Sequence, residues 1–378
     1  MIEIMLEIIV YISYGVLCVS AGLIARQLWV AKRKFTPPVF SSELGIDVDM
    51  PSVTVCIPAR NEMHALAECL DKVIASDYER LEIIVLDDVS GDETSGLIKS
   101  YAHSGVRFVQ GKPLPEGWLG KNHALQGLLN EASGSYVLFM DVDTRIAPNA
   151  VSNIVRYALS QRASMVSVLP RREDGWRASV VFSPLRYYWE VLFHTASSPA
   201  TASNAWLINR KVLQDRFGGF DAFKLAVQPE SHLSSSLAVS NEYRFLLGTE
   251  QFGVAFEKKW RSQLVTSTRL LFPLLQHKPL VAIIAILNLL LALIPIITLL
   301  TLFFVAPHVI HVVSLVVAVV FAVLYGIYAH RVWSKGAFLG AVVWPLLLVQ
   351  EIILIIASMY QYKRRSVKWK GRKILASR

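Results

Sequence analysis

The chain has 378 residues, 53% of them hydrophobic and 18% charged, with a formal net charge of +9. An ordinary soluble domain carries roughly 25% charge, and here the apolar excess is gathered into runs: between Pro279 and Tyr360 the only Asp, Glu, Lys or Arg residues are Arg331, Lys335 and Glu351. A purely soluble protein is therefore excluded, and so is a nucleic-acid-binding face, because the surplus cations (Lys363, Arg364, Arg365, Lys368, Lys370, Arg372, Lys373 and Arg378) crowd into the last residues rather than spreading over a domain.

The first element is an apolar run from Met5 to Val30, long enough to cross a bilayer as a helix of roughly 20 residues. Lys32, Arg33 and Lys34 follow it instead of preceding it, which argues against a cleaved signal peptide. Residues 1–34 read as an N-terminal transmembrane anchor, and the positive-inside bias leaves the chain after it in the cytoplasm. Residues 35–50, with Pro37-Pro38 and no periodicity, read as a linker.

Residues 51–260 have the pattern of an α/β domain. Strands are expected at Ser52 to Pro58, Leu81 to Leu86, Val106 to Gln110 and Ser135 to Met140, with helices at His64 to Ile74 and Asn122 to Glu131. This alternation predicts a mainly parallel sheet covered by helices on both faces. Cys18, Cys56 and Cys69 lack CxxC spacing and read as buried thiols.

Residues 261–278 mix leucines with Arg269, Gln276 and His277 and read as interfacial helices. Residues 279–360 hold three C-terminal transmembrane segments, Leu280 to Val305, Val309 to Tyr328 and Phe338 to Tyr360. Three full crossings after one anchor would export the basic tail, residues 361–378, against the positive-inside rule. One segment is then expected not to cross completely. The third, with Pro345 and the pair Gln350-Glu351 at mid-length, is where a re-entrant or broken helix could be tolerated. The tail itself suits a cytoplasmic surface of anionic lipid headgroups.

Chemistry concentrates at strand ends. Val137-Leu138-Phe139-Met140 runs into Asp141-Val142-Asp143, and in an extended chain the two carboxylates point to one side. They would face the cleft beyond the carboxyl end of the strand, where open α/β sheets bind ligands, and could join a hard divalent cation to a diphosphate. Polar clusters repeat this at Pro58-Ala59-Arg60-Asn61-Glu62 and at Asp87-Asp88-Val89-Ser90-Gly91-Asp92. Asn61 and Asp92 have an alternative use as helix caps.

Taken together, these strand ends resemble the family 2 glycosyltransferases, whose domain is a GT-A, Rossmann-like nucleotide-diphospho-sugar transferase fold; the resemblance covers about Pro51 to Gly253. Glu116-Gly117-Trp118-Leu119-Gly120-Lys121-Asn122 is similar to the GWxGK stretch of membrane members that glycosylate carotenoid, hopanoid or sphingoid lipids. The resemblance implies a nucleotide-sugar pocket formed by Pro58, Arg60, Glu62, Asp87, Asp88, Lys121 and Asp141, and a divalent cation, Mn or Mg, held by Asp143. Trp118 and Asn204 would lie on the acceptor side, as would Trp260, which could instead be an interfacial aromatic. Phe217-Gly218-Gly219-Phe220 resembles the family's GGF turn.

The family then presents a Glu-Asp pair whose Asp is the general base, whereas this chain reads Gln228-Pro229-Glu230-Ser231-His232. A serine hydroxyl does not serve as a base, so the role would pass to Glu230 or His232. The alternative is a catalytically impaired membrane protein that binds sugar nucleotides. The Gln-x-x-Arg-Trp motif of processive synthases is absent near Lys259-Trp260-Arg261. The expectation is therefore an inverting, membrane-bound transferase that moves one sugar, from a UDP-sugar, to a lipid hydroxyl. A transporter ranks third, since Glu351, Gln350 and Asn288 nearly complete the polar inventory of the apolar segments.

Overall fold

The computed structural model describes residues 2–37, 49–173, 178–183, 185–250, 252–333, 336–370 and 372–373. Contacts divide the chain into two units: Met1–Lys34, Asp174–Phe193 and Lys258–Arg364 form one, and Phe35–Glu173, His194–Glu257 and Arg365–Arg378 the other. The segment Asp174–Phe193, which the sequence reading leaves inside a continuous 51–260 domain, thus groups with the apolar helices.

In chain order, helix α1 (Ile2–Phe35) precedes β1 (Val53–Ala59), α2 (Met63–Ile74), β2 (Leu81–Asp87), α3 (Thr94–Ser100), β3 (Val106–Gln110) and α4 (Gly120–Glu131). There follow β4 (Tyr136–Met140), β5 (Thr144–Ile146), α5 (Ala150–Ser160), β6 (Met165–Leu169), β7 (Arg171–Arg172), α6 (Ala178–Val181), α7 (Arg186–Leu192) and β8 (Ala205–Asn209). The remainder comprises α8 (Pro229–Val239), β9 (Tyr243–Leu247), β10 (Val254–Phe256), α9 (Trp260–Leu274), α10 (Pro279–Leu300), α11 (Val309–Val332), α12 (Ala337–Lys363) and the two-residue strands β11 (Lys368–Trp369) and β12 (Arg372–Lys373).

In the α/β unit a seven-stranded sheet has the order β3-β2-β1-β4-β8-β6-β9. β1 pairs in parallel with both β2 and β4, and β2 with β3, whereas β8 runs antiparallel to β4 and β6. The interior strand β1 is the β-branched run Val53-Thr54-Val55-Cys56-Ile57, fully buried because neighbours and helices cover its edges and faces. Helix α2 buries Leu66, Cys69, Leu70 and Val73, a spacing of three and four residues that gives one apolar face toward the sheet. Phe139 and Trp206, 4.5 Å apart between ring centres, pack with Phe220; alternation along β4 turns Phe139 to the face opposite Leu138 and α2. The parallel arrangement of β3, β2, β1 and β4 brings the carboxyl ends of four strands to one edge of the sheet.

In the other unit, α1, α10, α11 and α12 are each long and apolar enough to cross a membrane. Tyr14 on α1 and Ser314 on α11 share a hydrogen bond, and Arg331 donates to the carbonyl of Leu28 at 2.7 Å. Helix α12 runs without a break through Pro345, so the third segment is not a broken helix. Its buried acid needs no break in the helix: Glu351 accepts the Trp189 indole N–H at 2.9 Å and the Leu185 amide at 3.1 Å. Gln350 donates to the Phe182 carbonyl at 3.2 Å. Partners supplied by the 182–189 segment satisfy the polar pair, as any polar group buried in an apolar setting requires. Cys56 and Cys69 are buried thiols as expected, but Cys18 is exposed on α1; a helix whose outer face suits lipid has no need to bury it.

Candidate functional site

The ends of β1 and β2 are tied into one loop system. Asp88 donates its amide to the Ala59 carbonyl at 2.8 Å, and the Arg60 guanidinium bonds the carbonyls of Asp88 and Val89, the latter at 2.8 Å. Asn61 lies in the left-handed region (φ 51°), accepts the Gly91 amide at 2.8 Å through Oδ1, and donates its own amide to the Ser90 hydroxyl oxygen at 3.0 Å. It is a cross-loop strut and not the helix cap proposed as its alternative use. Asp92, in contrast, does bond the Thr94 amide at 3.1 Å at the start of α3. Val89 also has positive φ (55°) and an exposed side chain, a costly conformation for a β-branched residue. Gly111 packs closely on the same loop: an added Cβ there would collide with the Asp87 carbonyl oxygen.

Asp87 and Asp88 are both 2% exposed but differ in use. Asp87 accepts the Ser90 amide at 3.1 Å and builds the turn. Asp88 accepts from Arg372 at 2.7 Å through Oδ2, while its buried Oδ1 has no hydrogen-bond partner among the described residues. Burial pushes the Asp88 carboxyl above its ordinary value, and Arg372 and Arg60 pull against that rise. Glu62 pairs with Lys370 at 2.7 Å. Both cations belong to the C-terminal stretch that the sequence reading gave to lipid headgroups, and their partners here are carboxylates of the α/β unit. Pro58, the remaining pocket residue expected from β1, is half-buried opposite Leu86.

Beyond β4 the chain turns at once: the Thr144 amide bonds the Asp141 carbonyl at 3.0 Å. Asp141 and Asp143 therefore sit on a tight turn, not on the extended chain assumed from alternation, because β5 leaves to pair with β10 in a second, three-stranded sheet. Val142 between them is buried and both acids are half-exposed, so the turn still separates the carboxylates from the core. Arg145 holds it from beneath, donating to the carbonyls of Val142 (2.8 Å) and Thr144 (3.1 Å) and to Glu68 (2.9 Å). Sequence reasoning missed this arginine; its only signal was a cation two residues after the carboxylate pair.

Replacing Arg145 with Met is expected to lower stability by about 2 kcal/mol, since hydrogen bonds to charged groups contribute roughly 1.5–3 kcal/mol. Glu68→Gln, on the exposed side of the same ion pair, should change it by less than about 1 kcal/mol. Thermal or urea unfolding of the purified protein compares the two, and equal losses would refute the role given to the buried carbonyl contacts.

Helix α4 begins at Gly120 and brings Lys121 Nζ to 2.8 Å from Asp141 Oδ1, so two expected pocket residues meet. The next residue, Asn122, is 1% exposed and donates to the carbonyls of Phe223 (2.7 Å) and Ala226 (2.8 Å). Together with the Leu119 amide on the Lys224 carbonyl, it anchors the loop that leads into α8. Gly218 and Gly219 both have positive φ, and the following Phe220 amide bonds Gln126 of α4 at 2.7 Å. That glycine pair is a turn docked on α4. Trp118 packs edge-on against His123.

Helix α8 starts with Pro229, followed by Glu230 at 1% exposure, whereas His232 is exposed and stacks on Phe223. Thr201 and Ser234 share a buried hydroxyl bond at 2.8 Å, which ties α8 to the stretch before β8. Asn204 in that stretch accepts the Asp141 amide and the Thr144 hydroxyl through its carbonyl; it shapes the turn with its backbone. Trp260 lies in the other unit, with its indole N–H on Gln350 at 3.3 Å.

Among the described residues no group of three or more His, Cys, Asp or Glu side chains is arranged around a metal-sized space. Asp141 and Asp143 offer carboxylate oxygens on one turn. That donor set fits a Mg or Mn ion that takes one or two protein carboxylates and completes its shell with phosphate oxygens and water.

The sheet order, the helix cover and the acid-ended strands define a GT-A α/β transferase fold. Residues 54–217 match the glycosyl transferase family 2 domain, and the chain carries that domain. A mannosyltransferase from Pyrobaculum calidifontis, solved with GDP-mannose and Mn2+, superposes with a TM-score of 0.55 at 19% identity over 93% of this chain and 98% of its own, a likeness of fold. The 4,4'-diaponeurosporenoate glycosyltransferase of Staphylococcus aureus is 29% identical over 165 residues, 41% of this chain and 42% of that protein. The uncharacterized protein MT1568 of Mycobacterium tuberculosis is 28% identical over 135 residues, 36% of this chain and 41% of that protein. The chain thus spans less than half the length of these curated relatives.

Proposed function

We propose that the protein is a membrane-bound inverting glycosyltransferase that moves one sugar from a nucleotide-diphospho-sugar, a UDP-sugar by the motif resemblance, to the hydroxyl of a lipid. The observation that carries this reading is that Glu62, Asp88 and Asp141 lie beyond the carboxyl ends of the neighbouring parallel strands β1, β2 and β4, with Lys121 of α4 paired to Asp141 and Arg60 bonded to the Asp88 carbonyl. Four apolar helices in the same chain and the partial likeness to a carotenoid-modifying enzyme support a lipid acceptor and an enzyme resident in the cell membrane, with its α/β unit facing the cytoplasm.

In this reading Glu62 and Asp88 hold the nucleoside. Asp143, with Asp141 beside it, would hold a divalent ion that screens charge on the diphosphate. Lys121 adds a fixed cation at the start of α4, where the helix dipole also favours negative charge. Glu230 accepts the proton of the acceptor hydroxyl as its oxygen attacks the anomeric carbon, and the electron pair of the breaking carbon–oxygen bond leaves with the nucleoside diphosphate. His232 is the weaker choice of base because its ring is exposed and stacked on Phe223.

The test is calorimetric titration of the detergent-solubilised protein with UDP, GDP, CDP and ADP, with Mn or Mg and with chelator. It is paired with transfer of radiolabelled sugar from the preferred donor into a lipid extract. Metal-dependent binding and a labelled lipid are expected; the absence of binding to every nucleotide would remove the transferase reading, and label confined to water-soluble products would remove the lipid.

A further inference from the structure

The C-terminal cations form a built structure on the α/β unit. Strands β11 and β12 pair antiparallel, with Lys368 opposite Lys373 and Trp369 opposite Arg372. The turn residue Lys370 takes positive φ (46°), a strained conformation for a residue other than glycine that persists only where the surroundings hold it. They do hold it. Lys370 Nζ lies 2.7 Å from Glu62, its carbonyl accepts from Arg60 Nε at 3.4 Å, and Arg372 lies 2.7 Å from Asp88. Val367, just before the hairpin, is 2% exposed. The hairpin is therefore held to the loops that end β1 and β2 by a backbone bond and two ion pairs.

The ion pair at Asp88 is asymmetric. Arg372 occupies Oδ2, and the buried Oδ1 has no partner among the described residues. A buried carboxylate oxygen without a donor is costly, and an N–H group would satisfy it. A ring N–H is offered by uracil and guanine but not by cytosine or adenine in their ordinary forms.

We propose that the C-terminal hairpin is a wall of the donor pocket, in which Arg372 holds Asp88 by one oxygen and aims the other at a ring N–H of the nucleobase. Arg372 is a positioning residue, and Lys370 does the same for Glu62. This inference rests on the donor-site reading above. It makes the segment after the last apolar helix part of nucleotide selection, so that a chain ending at Lys363 would lack a side of its own binding site.

The experiment is calorimetric titration of UDP, GDP, CDP and ADP into the full-length, detergent-solubilised wild type, Arg372→Ala, Arg372→Lys, Asp88→Asn and the Asp88→Asn/Arg372→Ala double variant. The wild type is expected to prefer UDP or GDP over CDP and ADP. Arg372→Ala should weaken the preferred nucleotide by about tenfold, the scale of one charge-assisted bond, and narrow its preference over CDP and ADP; Arg372→Lys should retain part of both. In the Asp88→Asn background Arg372→Ala should have no further effect, because the arginine acts through that carboxylate.

Unchanged or tighter binding by a folded Arg372→Ala protein would overturn the inference and mark the hairpin as a bystander or a plug. Additive losses in the double variant would overturn it too, and this comparison holds even if the single alanine variant is less stable. A wild type that prefers CDP or ADP contradicts the role given to Asp88. A wild type that binds no nucleotide removes the donor-site reading itself, an outcome distinct from binding that ignores Arg372.

Discussion

Glu230→Gln is expected to lower the turnover number by about 10²–10⁴-fold, the range of a positioned general base, while leaving nucleotide affinity within about twofold. The substitution keeps size and most hydrogen-bonding geometry, so a structural cause is disfavoured in advance. It matters that Glu230 is 1% exposed in the first turn of α8, because a base that works on a lipid hydroxyl needs a site closed to water. His232→Gln serves as the control. Its ring lies outside, on Phe223, and its loss should cost less than about threefold, as for a surface residue remote from the chemistry. Single-turnover transfer with a saturating donor decides between them: a full rate for Glu230→Gln and a large loss for His232→Gln would reverse the assignment. Near-full rates for both would leave the reaction without a side-chain base in α8.

Asp143→Asn is expected to reduce transfer by about 10²–10³-fold, the scale of losing one fixed group that stabilises charge in the transition state. It should also abolish the gain in nucleotide affinity produced by Mn or Mg. The turn is held by backbone bonds and by Arg145, so the asparagine is expected to keep it. Calorimetry with and without chelator, together with a thermal midpoint for the apo protein, separates the cases. Chelator-insensitive binding at wild-type strength with an unchanged midpoint would indicate that the ion, if used, is held elsewhere; a lowered midpoint would make Asp143 a folding residue.

The strand-end motifs were legible because their signals are local. A buried apolar run that stops at a polar cluster can be read without knowing its neighbours, and Val53–Ile57, Ile83–Leu86 and Val137–Met140 all stop in this way. Periodicity likewise located α2 and the four long apolar helices. Contacts made by residues far apart in the chain were not legible. Asn122 looked like the end of a GWxGK stretch, yet its side chain holds a loop about a hundred positions away. Arg145 drew no reading from the sequence, yet it carries the acidic turn. The polar pair in α12 suggested a broken helix because its partners, Leu185 and Trp189, lie on a segment with no sequence mark of belonging to it.

By itself the sequence determined the class of fold, the division into apolar and watery parts and the residue types available for chemistry, because hydrophobic period and strand-end composition are properties of short stretches. Only the tertiary structure decided that Asp141 and Asp143 share a turn and that Glu230 is buried while His232 is exposed. It also decided that Lys370 and Arg372 meet Glu62 and Asp88 across some three hundred residues of chain. A row of cations reads the same beside lipid phosphates or beside carboxylates, and the choice between them is made by which surfaces the fold brings within a few ångströms, where pairing offsets the cost of burying charge.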